Sequence, residues 1–223
     1  MSEEQQAANP QTGVAEVHKL GPTLLRVAWL AVLLGFVMEA LLLLFAAGFG
    51  ILPGLGEAVA DLARQVSWST IVCVGLAIGT VVSKARAQLM GLLGLLAAPL
   101  ASTVARTVHQ GTLGALTVAE KTSWFTSSLL FVAFLKGVEY GCLGLILGWI
   151  GQRAWGGAAA HVAAGLAVGL VFGSATGALN QLTAPEPLST AKLVAQGVNE
   201  ILFPVGCALV LFAATALGEK AGS

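Results

Sequence analysis

Residues 133–141 read AFLKGVEYG and lie inside an apolar run that begins near Phe125 and ends near Ile150. A helix of that length extends about 39 Å, which is enough to cross a bilayer with some tilt. Lys136 and Glu139 fall close to the middle of this run. Because a charge at that depth costs on the order of 3 kcal/mol, both side chains are expected to face protein, a partner charge or water. They are three residues apart, so they share a helix face and can pair.

The composition is typical of a polytopic helical membrane protein. Apolar residues make up 57% of the 223-residue chain and charged residues only 10%, whereas soluble domains carry about a quarter charged residues. The 28 glycines suit close helix packing in lipid. The apolar runs are continuous and lack the alternation of a transmembrane β-strand. Since the formal net charge is zero, the sequence indicates no nucleic acid partner, and the lipid bilayer is the first partner it implies.

Hydropathy predicts an all-α integral membrane protein with about six transmembrane helices. The predicted spans cover residues 24–49, 66–82, a run within 88–118, 125–150, 158–179 and 193–217. The third run contains Pro99 and allows two interpretations, either one kinked span or a re-entrant piece at 88–98 followed by a span at 100–118. Residues 55–65 have apolar positions at helical spacing and predict either a short interfacial helix or a solvated loop helix.

Polar tails are predicted at both ends of the chain, at residues 1–19 and 219–223. Pro22 suits the first turn of the first span. With six spans and the N-terminus inside, the Lys and Arg residues near the span ends number six on the inner side and four on the outer side. Because positive residues favour the cytoplasmic side, both termini are predicted to be cytoplasmic.

The two halves of the chain share short motifs in the same order. GLAIG at 75–79 recurs as GLAVG at 165–169, and LAAP at 96–99 corresponds to LTAP at 182–185. The shared order predicts a duplication, with a first three-helix repeat at 20–121 and a second at 122–218. Because three is an odd number of spans, the second half is expected to be inverted, with proline-broken or re-entrant segments near Pro99 and Pro185.

The combination of glutamate-bearing spans, GLAIG-like spans and paired proline breaks resembles the layout of the aquaporin family. Neither break contains the sequence Asn-Pro-Ala, because the equivalent residues read APL at 98–100 and APE at 184–186. The likeness covers short stretches rich in Gly, Ala and Leu, so no function is carried over from that family.

Five polar residues in apolar runs are the candidates for a transport or ion-binding site: Glu39, Lys136, Glu139, Asn199 and Glu200. In one interpretation they line a polar path or bind a cation or proton. In the other, Lys136 and Glu139 neutralise each other and the glutamates have structural roles. Both interpretations stay open at this point. Lys136 has no counterpart in the first half, so Glu39 is expected to be the lone acid, protonated or bound to a cation.

Metal and catalytic motifs are not indicated. The three histidines lie on separate segments without HxxxH or HExxH spacing: His18, His109 and His161. The three cysteines lack CxxC spacing, which favours a role as small core residues. GSATG at 173–177 lacks the GxSxG pattern of a serine hydrolase, and no phosphate-binding loop is present. The sequence therefore predicts no metal, no cofactor and no enzymatic activity, with a membrane enzyme as the third choice.

The first prediction for function is a transporter or channel for a small solute or ion. The alternative is a non-transporting structural or assembly subunit, because small-residue faces also suit packing against a membrane protein partner or a second copy of the chain. A transporter should have a water-accessible polar cavity near the midplane of the membrane. A scaffold should be packed solid there.

Overall fold

The computed structural model describes residues 10–81, 85–116, 127–183 and 188–220. Within these ranges the structure is all-helical and contains no strand. It consists of α1 (Pro10–Gly48), α2 (Leu55–Ile78), α3 (Arg86–Leu116), α4 (Ser127–Ile150), α5 (Ala158–Thr183) and α6 (Thr190–Lys220). A short 3₁₀ turn, Gly79–Val81, extends α2 at its end.

Five of the helices are long and apolar enough to cross a membrane: α1 over Gly21–Gly48, α3 over its whole length, α4 over Leu130–Ile150, α5 over its whole length and α6 over Thr190–Leu217. Their outer faces expose large apolar side chains. On α1, for example, Leu25, Trp29 and Leu33 recur at helical spacing and are more than half exposed. The chain is therefore a multi-pass helical membrane protein whose apolar surface contacts the lipid bilayer.

The helices form a closed bundle in chain order. Each helix packs against the next one, α1 closes the bundle against α6, and α2 also contacts α6. Between α1 and α2, Gly35 approaches Val66 while the earlier residue Ala31 accepts a hydrogen bond from the later residue Ser69. Between α3 and α4, Gly94 approaches Tyr140 while Ala87 approaches Gly148. Neighbouring helices therefore run antiparallel. As a result, the ends of α1, α3 and α5 lie on the same side of the bundle as the beginnings of α2, α4 and α6.

Glycines bring two pairs of consecutive helices into close contact. A Cβ atom added to Gly75 in α2 would lie 2.6 Å from the Cβ of Ala97 in α3. A Cβ atom added to Gly165 in α5 would lie 2.6 Å from the Cα of Val205 in α6. The GLAIG and GLAVG motifs therefore occupy the same kind of position, each at the contact with the following helix.

The helix boundaries differ from the sequence predictions in the first half of the chain. Because α2 begins at Leu55, the predicted short helix at 55–65 and the predicted second span form one continuous helix. α3 is also continuous and runs through Pro99, so no separate re-entrant piece forms at 88–98 and the single-span interpretation describes this segment. Pro185, the other predicted break, lies outside the described residues.

Both predicted tails overlap with helices. α1 begins at Pro10, inside the predicted tail 1–19, so Pro22 lies in the helix interior rather than in a first turn. α6 ends at Lys220, inside the predicted tail 219–223.

α2 is the one predicted span that is not among the five apolar helices. Its first half carries Glu57, Asp61 and Arg64, which lower its hydropathy. The helix nevertheless packs against α1, α3 and α6, and Ala60 and Val72 are completely buried. The charged side chains of α2 lie outside this buried face, since Glu57 and Arg64 are exposed and Asp61 is half-buried.

We predict that Gly165→Ala destabilises the protein by about 1–3 kcal/mol, because the added methyl group meets backbone atoms of α6. The matched control is Gly177→Ala in the same helix, where an added Cβ finds no atom within 4 Å. The control should be neutral or stabilising by up to about 1 kcal/mol, since alanine is the better helix former. Thermal unfolding in detergent measures both variants. Equal melting temperatures would contradict the close packing of α5 on α6.

Candidate functional site

Lys136 lies between two carboxylates. Its Nζ donates a hydrogen bond of 2.7 Å to Oε2 of Glu139 on the same helix and also contacts Oε2 of Glu200 on α6. Glu139 is completely buried, and Lys136 and Glu200 are 9% and 8% exposed. We refer to these three residues as the ion cluster. With one cation and two carboxylates, the ion cluster has an excess formal negative charge, whereas the sequence predicted a neutral pair of Lys136 and Glu139.

Small residues position α4 and α6 so that the cluster can form. Gly137, next to Lys136, lets α4 approach α3, since a Cβ there would lie 2.9 Å from the carbonyl oxygen of Leu95. Gly173 of α5 does the same for α6, since a Cβ there would lie 3.0 Å from the Cβ of Glu200. Both glycines thus allow close helix contacts beside the residues of the ion cluster.

A polar pair and an aromatic group adjoin the ion cluster. Nε2 of Gln65 on α2 donates a hydrogen bond of 3.0 Å to Oδ1 of Asn199, the neighbour of Glu200. One turn further along α2, Trp68 packs edge-on against Tyr140 and Phe203, with ring centroids 5.9 and 6.4 Å away. The aromatic group lines the same cavity as Lys136 and Glu200 and therefore lies beside the buried charges.

Two cavities reach this polar layer. The first has a volume of about 410 Å³ and contains Glu39 in its lining, so we call it the Glu39 cavity. The second has a volume of about 550 Å³ and is lined by Arg106, His109 and Lys136 among others, so we call it the Arg106 cavity. The two linings share Arg64, Gln65, Asn199 and Glu200. The Gln65–Asn199 pair and Glu200 therefore form the wall between the cavities.

Both cavities lie toward one side of the bundle. Their linings come from the ends of α1, α3 and α5 and from the beginnings of α2, α4 and α6. The opposite side is closely packed by side chains that are at most 1% exposed, including Val72, Cys73, Leu76, Met90, Leu143, Leu147 and Cys207. The thiols of Cys73 and Cys207 lie 3.3 Å apart in this packed half. The ion cluster is located at the boundary between the two halves.

Glu39 has no hydrogen-bond or ion-pair partner among the described residues. It is only 5% exposed, and its Oε2 atom is buried without a donor nearby. The other acid at this end of the cavity, Asp61, is paired: its Oδ1 lies 2.9 Å from Nη2 of Arg64 and 3.3 Å from Nε2 of His109. Glu39 is therefore an isolated carboxylate in the wall of a polar cavity.

Four of the five sequence candidates line the two cavities, and the fifth, Glu139, lines neither but contacts Lys136. Lys136, Glu139 and Glu200 form the ion cluster, Asn199 belongs to the adjoining amide pair, and Glu39 faces the same cavity as Glu200. Two of the histidines are not brought together. His109 contacts Asp61, whereas Nδ1 of His161 lies 3.0 Å from the carbonyl oxygen of Gly157. The side chain of His18 lies outside the described side chains.

Sequence reasoning did not identify the polar face of α2. Asp61, Arg64 and Gln65 all line the Glu39 cavity. They are spaced three and four residues apart, immediately before an apolar run, and this spacing puts them on one helix face. Continuing the helix at 55–65 into the second span would have indicated that this face points into the bundle.

A scan against protein-family models finds no match for the chain, and searches of curated proteins and of solved structures find no significantly similar protein. The resemblance of its layout to aquaporins is thus not accompanied by a family match.

We predict that Lys136→Gln destabilises the protein by about 3–5 kcal/mol, because it leaves two buried carboxylates without a cation. Glu139→Gln should have a smaller effect, since Lys136 keeps its contact with Glu200. The control is Lys192→Gln at an exposed position near the start of α6, which should change stability by less than about 0.5 kcal/mol. Thermal unfolding in detergent compares the three. If Lys136→Gln has the same melting temperature as the Lys192→Gln control, the ion cluster is not a stabilising contact.

Proposed function

We propose that the protein is a multi-pass membrane transporter for a small solute or ion. The observation that carries the proposal is the position of the ion cluster, which lies where two polar cavities end and the packed half begins. Ionisable residues inside a membrane mark substrate and ion pathways. Binding sites of secondary transporters lie near the bilayer midplane, where helices of the two halves meet.

The one-sided cavities favour a carrier over an open channel. A channel needs a continuous polar path through the bundle. Here the half beyond the ion cluster is filled by buried apolar side chains such as Leu76, Leu143 and Leu147. A carrier has one side closed while the other is open, and it exchanges the two by moving one group of helices against another.

The alternative is a non-transporting subunit of a membrane complex. A buried ion cluster gives little net stability compared with apolar residues of the same volume, so stability alone does not account for its presence in a scaffold. Concave sites with a few converging polar groups are instead typical of ligand binding. Both cavities match that description, because each combines amide and charged side chains with an apolar wall.

An inverted repeat fits the carrier proposal. We infer that residues 24–118 and 125–217 are related by an axis in the membrane plane, with α2 as the sixth crossing and both termini cytoplasmic. The equivalent placement of Gly75 and Gly165 at contacts with the following helix supports this relation. When two such halves exchange conformations, the cavity closes on one side and opens on the other.

The test of the proposal uses the native thiols of the packed half. Cys73 and Cys207 are completely buried here, so a membrane-impermeant thiol reagent reaches them only if the packed half opens. We predict slow labelling of Cys207, in protein carrying Cys142→Ala, from the side opposite to the cavities. Gln196→Cys, in the Glu39 cavity, should be labelled rapidly from the cavity side.

The control is Leu209→Cys, on the outer surface of α6, which should stay unlabelled because lipid excludes the charged reagent. Labelling of Gln196→Cys without any labelling of Cys207 would indicate a static protein with a one-sided cavity. If neither Cys207 nor the cysteine introduced by Gln196→Cys is labelled, the result favours the packed scaffold.

A further inference from the structure

The Glu39 cavity has an excess of acidic side chains. Glu39, Asp61 and Glu200 line it, and Arg64 is the cation among the described lining residues. Arg64 is paired with Asp61. Lys136, which contacts Glu200 from outside this lining, is shared with Glu139. The nearby cations are thus already paired with other carboxylates, and the charge of Glu39 is not balanced by a basic side chain.

A buried ionised carboxylate without a partner is unfavourable, and either a bound proton or a bound cation relieves that cost. Glu39 meets this description, since it is 5% exposed and its Oε2 has no hydrogen-bond donor within the described structure. Asp61 and Glu200 border the same cavity, but Asp61 is paired with Arg64 and Glu200 with Lys136. Glu39 is therefore the carboxylate of this cavity that is left without a cation.

Amide side chains line the same cavity. Asn180 and Gln196 border it together with Glu39, as does Asn199, whose Oδ1 accepts a hydrogen bond from Gln65. Amide carbonyl and carboxylate oxygens are the preferred ligands of hard cations. Among the residues that the structure describes, no group of three His, Cys, Asp or Glu side chains is close enough to hold a metal ion. One unpaired carboxylate with amide oxygens suits a single positive charge better than a multivalent metal.

We propose that the Glu39 cavity binds one univalent cation, with Glu39 as its counter-charge. Its role as driving ion or as transported substrate rests on the proposed transport function, whereas binding itself does not. A volume of about 410 Å³ with Leu42, Leu43 and Pro53 in the wall admits either a partly hydrated alkali ion or a small organic ammonium. Both carry the same charge to the same carboxylate.

The position of Glu200 couples this site to the ion cluster. Glu200 lines both cavities and contacts Lys136, which itself lines the Arg106 cavity. A cation beside Glu39 attracts Glu200 and weakens its hold on Lys136. Occupancy of the Glu39 cavity is therefore expected to change how strongly Glu200 holds Lys136, and the reverse effect must be equally large.

The experiment measures thermal unfolding of the purified full chain in detergent, with chloride salts of sodium, potassium or ethylammonium at constant ionic strength. N-methylglucamine, which is too bulky for a small site, is the reference cation. Wild-type protein should show a saturable rise in melting temperature with at least one of the three cations. Glu39→Gln should weaken the apparent affinity at least tenfold. The matched control is Glu57→Gln, an exposed acid near the start of α2, which should keep the wild-type response.

The reference salt separates a cation site from a structural glutamate. In N-methylglucamine chloride, Glu39→Gln should melt at or above the wild-type temperature, because it removes an unpartnered buried carboxylate. Lower stability or failure to fold in that salt overturns the proposal, since Glu39 would then be a structural contact. An absent cation response in the wild type, or the same response in Glu39→Gln, overturns it as well.

The comparison of the three chloride salts identifies the class of cation that binds. A response to sodium or potassium alone indicates an alkali ion, and a response to ethylammonium alone indicates an organic cation. The result is separable from the thiol-labelling test of transport. Labelling of Cys207 without a cation response rejects the Glu39 site but supports the carrier proposal. A cation response in a protein that never exposes Cys207 supports the Glu39 site but rejects the carrier proposal.

Discussion

The need to keep Lys136 paired inside the membrane governs how this bundle is assembled. An unpaired lysine near the middle of a span is costly, and the partner on its own helix, Glu139, is buried with it. Glu200 joins the pair from α6, and α6 accordingly packs against α1, α2, α4 and α5. Two glycines permit this arrangement, because a Cβ at Gly137 of α4 would lie 2.9 Å from the carbonyl oxygen of Leu95 and one at Gly173 of α5 would lie 3.0 Å from the Cβ of Glu200.

The ion cluster also divides the bundle into two unlike halves. On one side, polar faces of α2 and α6 border cavities, and Gln65 donates a hydrogen bond to Asn199. On the other side, the same two helices meet through Cys73 and Cys207 in a packed apolar interior. Both halves are built from the same helices. A modest tilt of α2 and α6 relative to their neighbours therefore changes the width of the cavities and the packing of the opposite half together. This geometry connects the static structure to the proposed carrier.

Much of the architecture follows from the sequence, because apolar runs long enough to cross a bilayer have to form helices there. The Lys136–Glu139 pair likewise follows from helical spacing. The partnership with Glu200 does not, since the approach of α4 to α6 is set by packing between residues far apart in the chain. Hydropathy divides α2 into two segments, because Asp61 and Arg64 lower the hydropathy of its first half. Their occurrence in a helix of the bundle is explained by the cavity that they line. The sequence around Pro99 allows two interpretations, one kinked span or a re-entrant piece followed by a span, because proline can either kink or end a helix.

Hydrogen–deuterium exchange of α6 in lipid nanodiscs tests the central claim most directly, because one helix passes through both halves of the bundle. Residues 195–203 border the cavities and include Asn199 and Glu200, whereas residues 207–214 lie in the packed half. The account predicts that backbone amides of the first segment exchange measurably faster than those of the second, although both are interior to one continuous helix. Equal protection along the two segments would show that water does not reach the ion cluster and would contradict the account.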